Sequence, residues 1–110
     1  GFIQWAAPTI EKFPRSYKFT LGDRMMGIAF DTLEHLIVAT YDRERSQPLQ
    51  AANLGIEKLR HFFRIAFHLK CLDERRYEHA ARRLDEIGRL IGGWKKATPS
   101  TSRHHAKTAE

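Results

Sequence analysis

LRHFFRIAFHLKCLDERRYEHAARRLDEIGRLIGGW, residues 59–94, holds two helical patterns joined by a very short break. In its second half Tyr77, Ala80, Ala81, Leu84, Ile87, Gly88, Ile91 and Trp94 recur at spacings of three and four. At 3.6 residues per turn those spacings make one core-facing stripe. In its first half Leu59, Phe62, Phe63, Ala66 and Phe67 fall together with the preceding Ala52 and Ile56. Asn53, Glu57, Arg60, Arg64 and His68 fall within one opposing arc of about 80°. Burying an unpaired arginine costs at least several kcal/mol, so these charges are expected on the outside. Leu72 and Asp73 form the break, and Asp73 is placed to cap the helix that follows. Helices joined this tightly pack as antiparallel neighbours.

The rest of the chain extends the same pattern. Residues 2–12 predict a first helix with Ile3, Ala6, Ala7 and Ile10 on one side, kinked or started late by Pro8. Its apolar set is short, and the helix is expected to begin upstream of Gly1. Residues 13–19 read as a connector punctuated by Pro14, and Thr20 to Asp23 reads as a helix start. The second helix runs to about Tyr41. Its apolar residues, Met26 and Phe30 among them, cover well over half its circumference, which predicts burial on more than one side. After a polar turn at 43–47, Pro48 suits the first turn of a third helix reaching about Cys71. The fold class is therefore all-α: an antiparallel up-down four-helix bundle over residues 1–96, with a disordered basic and polar tail over 97–110.

Charge and composition narrow the function. No apolar run approaches the roughly 18 residues of a membrane span, so no membrane partner is expected. One cysteine, Cys71, leaves no internal disulfide or cysteine-rich zinc site, and a cytoplasmic setting is expected. The net charge of +6 and pI near 9.8 favour an acidic or polyanionic partner. Most of the excess lies in residues 46–72 and 73–96, which carry +3 and +2. On the fourth helix Arg75, Glu78, Arg82, Glu86 and Arg89 share the outer face, with Glu78–Arg82 and Asp85–Arg89 as i,i+4 pairs. Leu54 and Ile65 lie in the polar half of the third helix, and Leu90 sits at the edge of the fourth. With the broad girth of the second helix, they predict a homo-oligomer.

Chemistry finds no foothold. His61 and His68 lie roughly 10 Å apart along one helix, too far to share a metal unaided. Cys71 has no histidine placed to activate it, although Lys70 beside it favours the thiolate. Gly88, Gly92 and Gly93 follow no strand and so form no phosphate loop. They read as structural glycines, the first two allowing close helix approach and Gly93 helping to end the helix. Arginine–histidine spacings typical of helical-bundle ribonucleases are absent. No catalytic residue, metal or cofactor is expected.

FPRSYKFTLGDRM at 13–25, residues 59–94 and the order of helices together resemble the accessory variability determinant (Avd) proteins of diversity-generating retroelements. FTLGDR at 19–24 and DEIGRLIGGW at 85–94 are the most specific parts. The wider four-helix-bundle family includes proteins encoded in ribosomal RNA intervening sequences. The resemblance implies a non-enzymatic partner of a reverse transcriptase, forming a homopentameric barrel of bundles with a basic surface. Such a protein binds the polymerase and RNA or DNA without sequence preference, supporting cDNA synthesis in mutagenic retrohoming. Arg60 and Arg64 match the basic positions of the family's LR-x-x-x-R segment. Charge and exposure add Lys58, Arg82, Arg83 and Arg89, and the expected oligomer contacts are Leu54, Ile65, Leu90, Met26 and Phe30. The alternative is a general RNA-binding bundle of the intervening-sequence kind without a polymerase partner.

Overall fold

A computed structural model describes residues 1–97, and every regular element among them is helical. Four helices carry the architecture: α1 (Phe2–Glu11), α2 (Asp23–Tyr41), α3 (Ser46–His68) and α4 (Glu74–Ala97). Ala97 closes the last of them, and the remainder of the expected tail lies outside the described residues.

The first half departs from expectation at two places. α1 begins at Phe2 rather than late, and Pro8 sits exposed one turn before its end. The connector is not a loop. Pro14 accepts hydrogen bonds from the amides of Tyr17 and Lys18, starting a single turn at Arg15–Tyr17. That turn passes through a π-helical segment, Lys18–Gly22, directly into α2. The helix therefore has no free N-terminus at Thr20 to cap. The Thr20 hydroxyl instead donates back to the carbonyl of Tyr17, at 3.4 Å. Gly22 makes the junction fit, since a Cβ there would stand 2.8 Å from Ile10 Cγ2.

α2 and α3 approach unusually closely. The residues α2 buries are Met25, Ala29, Thr32 and Ala39, mostly small. Facing them, Gly55 of α3 is so near that a Cβ would fall 2.0 Å from Thr32 Oγ1. Thr32 stays satisfied by donating to the Ile28 carbonyl at 2.8 Å. The bulk of the core comes from α3 and α4, through Leu49, Ile56, Leu59, Phe63, Leu84 and Ile91. Each such side chain contributes about 1.5–3 kcal/mol on burial.

The α3–α4 turn ends α3 at His68, three residues earlier than expected. Lys70 takes a left-handed conformation, with φ 63°. Its amide donates to Phe67, and the Cys71 amide donates to Ala66 at 2.8 Å. This is a Schellman closure, with lysine where glycine is usual. Asp73 then caps α4 as expected, accepting from the Arg76 amide at 2.8 Å. That hydrogen bond holds the Asp73 carboxyl below its ordinary range. Phe67 stacked on Tyr77 at 4.8 Å, and Arg45 over Trp94 at 5.8 Å, set the antiparallel register of α3 and α4.

α1 has 10 residues against 19 to 24 in the other three. It covers one half of the space between α2 and α4, where Phe2 and Trp5 pack on Phe63. The other half is an apolar groove of about 820 Å³ lined by Phe30, Leu33, Ile37, Ile87, Leu90 and Trp94. Within the chain the broad apolar girth of α2 is buried on one side, which leaves Phe30, Leu33 and Ile37 exposed.

Gly55→Ala should lower stability by about 1–3 kcal/mol through overpacking against a stiff threonine. In thermal denaturation followed by circular dichroism, each kcal/mol corresponds to roughly 4–8 °C. Adding Thr32→Ala should recover part of the loss. Strictly additive losses would show that the two residues are not coupled.

Candidate nucleic-acid interface

The outer side of the α3–α4 pair carries the charge. Arg60 lies at its centre. Its guanidinium pairs with Glu57 at 3.1 Å and reaches across to Asp85 of α4. The side chain is 35% exposed. Gly88 makes this reach feasible, because a Cβ there would stand 3.1 Å from Arg60 Nη2. Arg60 is therefore a clip between two helices. Asp85 consequently pairs with Arg60 rather than with Arg89, and no Glu78–Arg82 ion pair forms among the described residues.

The other cations divide by face. Arg64, Arg82 and Arg89 are exposed and form no ion pair among the described residues. Antiparallel packing, with Arg60 at the level of Asp85, brings Arg64 level with the first turns beside Arg82. Lys58 is exposed too, but by helical rotation it shares the outer stripe of Leu54 and Ile65. Arg83 points toward the Leu90 side and pairs with Glu86 at 3.5 Å. The outer face of α4 expected from the sequence carries a longer row than Arg75, Arg82 and Arg89 alone. Arg75, Arg82, Arg89 and Lys96 recur every seven residues, a spacing that drifts only about 20° per step. The row covers roughly 30 Å of α4. Its signal lies in the seven-residue spacing, but Lys96 stands beyond the outer face expected to end at Arg89.

Beside the row a cleft of about 720 Å³ runs between α3 and α4, lined by Asn53, Arg60, Asp85, Gly88, Arg89, Gly92, Gly93 and Lys96. Glycine in a helix costs roughly 1 kcal/mol relative to alanine. For Gly88 the Arg60 side chain explains it. Among the described residues Gly92 and Gly93 have no atom within 4 Å of a built Cβ, so no neighbouring helix there requires them. Nor does Gly93 end the helix, which continues to Ala97. Both observations correct the expected structural roles of these two glycines.

The apolar candidates fall into separate places. Leu54 is 55% exposed on the outer stripe of α3 with Ile65. Phe30 and the 73%-exposed Leu90 line the α2–α4 groove, while Met26 is partly buried against the core. Cys71 is buried, and burial pushes its thiol above the ordinary range, opposing the activating influence expected from Lys70. No helix of the described residues is long and apolar enough to cross a membrane.

The described residues thus form a helical bundle with exposed cations on one side and exposed apolar residues on others. The family model described as bAvd-like matches residues 1–98, and the chain belongs to that family. Membership agrees with an Avd protein of a diversity-generating retroelement, an accessory family. No curated protein matches the chain, and no solved structure does.

Charge reversal should separate the two arginines. Arg60→Glu places a carboxylate beside Glu57 and Asp85, and should cost up to about 1 kcal/mol from the missing pair plus added repulsion. Arg64→Glu should leave the melting temperature nearly unchanged. Equal melting temperatures for both variants would contradict the clip.

Proposed function

We propose that this chain is a non-enzymatic accessory protein of a diversity-generating retroelement. It binds the element's reverse transcriptase and nucleic acid through the basic α3–α4 face, supporting cDNA synthesis in mutagenic retrohoming. Membership of the bAvd-like family supplies the context. The observation that carries the reading is the row of Arg75, Arg82, Arg89 and Lys96 flanked by Arg64, cations without carboxylates committed to most of them.

The mechanism is electrostatic. Phosphate contacts by lysine and arginine release condensed counterions, so affinity falls with salt and carries little sequence preference. A homopentameric ring, held through Phe30 and Leu90 in the groove and Leu54 and Ile65 on α3, would repeat the face around the assembly. Repetition raises avidity without any new contact. Partly buried Met26 belongs to this interface only at its edge. The cytoplasm is the compartment in which such a complex would work.

Nucleic-acid affinity should fall steeply between low and physiological salt, by about 0.7 logarithmic units per phosphate bound and tenfold salt for single strands. Arg64→Glu with Arg89→Glu should weaken binding of both nucleic acid and co-expressed reverse transcriptase at least tenfold, with an unchanged helical spectrum. Sedimentation of the wild-type chain tests the ring. Flat salt dependence, or undiminished binding by the double variant, would overturn the electrostatic reading, and a monomer would remove the ring. RNA binding with no capture of the polymerase would favour the intervening-sequence kind of protein.

A further inference from the structure

We propose that the cleft between α3 and α4 is a seat for the phosphodiester backbone of a single nucleic-acid strand, with phosphates lying over Gly92 and Gly93. The inference rests on the proposed nucleic-acid binding and assigns it a place. The cleft lining carries three cations, Arg60, Arg89 and Lys96, against one carboxylate, Asp85. That carboxylate is held by Arg60, which leaves Arg89 and Lys96 without an ion-pair partner among the described residues. Asn53, level with Gly92 on the facing helix, adds an amide donor. Positive charge thus converges on one trough rather than spreading over a convex face.

The glycine floor determines what can enter. Among the described residues no atom lies within 4 Å of a Cβ built on Gly92 or Gly93, although each glycine weakens the helix that carries it. Without side chains there, a ligand can descend to the helix backbone between the cationic tips of Arg89 and Lys96. Packed helices stand about 8–10 Å apart, so the trough between them is narrower than a duplex. A ribose-phosphate backbone can reach its floor, whereas a duplex would rest on the rim. A second copy of the same face would bring like charges together, and its approach is opposed.

Gly92→Leu tests the seat without changing any charge. Its Cβ enters open space, and leucine is a better helix former, so the variant should retain its helical spectrum and melt no lower than wild type. Fluorescence anisotropy would use 12-mer oligo-U, 12-mer oligo-dT and a 12-base-pair duplex, with polyglutamate as competitor. We expect Gly92→Leu to weaken both single strands at least tenfold and to flatten the salt slope by about 0.7 for each phosphate no longer bound. Gly27→Leu, also built into open space but on α2, should bind like wild type. If Gly92→Leu loses its fold, Gly92→Ala replaces it, with at least a threefold loss expected.

Undiminished single-strand binding by the folded Gly92 variant overturns the seat and leaves the wider nucleic-acid reading intact. Absence of wild-type binding to every nucleic-acid probe at low salt overturns both. Equal loss of duplex binding removes the single-strand assignment. Polyglutamate displacing oligo-U at equal charge concentration would assign the cleft to an acidic protein surface instead. Loss of one homopolymer but not the other would restrict the seat to that sugar and overturn recognition through the shared backbone.

Discussion

The close contact between Thr32 and Gly55 governs the arrangement of this bundle. Two helices can approach so nearly only if the facing positions are small, and α2 accordingly presents Ala29, Thr32 and Ala39 to the interior. With its inner face reserved for small residues, the large apolar residues of α2 stand on other faces. Phe30, Leu33 and Ile37 border the groove, which continues past the Gly1 end of α1. The exposed apolar surface is thus a direct consequence of tight packing elsewhere.

A second pairing of glycine with a side chain orders the opposite side of α3. Gly88 leaves room for Arg60 to lie across α4 and reach Asp85. Had Asp85 remained beside Arg89, the i,i+4 pair would have damped the cation row in its middle. Because Asp85 is turned toward Arg60, Arg89 is exposed and forms no ion pair among the described residues. One half-buried clip therefore joins two helices and also sharpens the basic face. Gly55 and Gly88 serve similar physical ends, each removing a Cβ so that a particular partner atom can occupy its place.

These two devices keep the surfaces apart. By helical rotation along α4, Leu90 and Trp94 face the groove, whereas Arg82, Arg89 and Lys96 face away from it. Under the proposed function, this separation would let one surface pack against protein while the other meets a polyanion, without burying unpaired charge.

Periodicity alone determined a good deal here. The stripes of α3 and α4, the outward turn of Arg64 and the cap at Asp73 were legible because each depends on spacing within one helix or turn. The π-helical run into α2 was not, since Pro14 and Thr20 resemble loop and start signals until Gly22 is seen beneath Ile10. Nor could spacing show that Arg60 is tied to Asp85 or that Gly92 and Gly93 floor an open cleft. Those facts belong to the tertiary structure. They depend on the distance and rotation between helices far apart in the chain, which a helical period cannot encode.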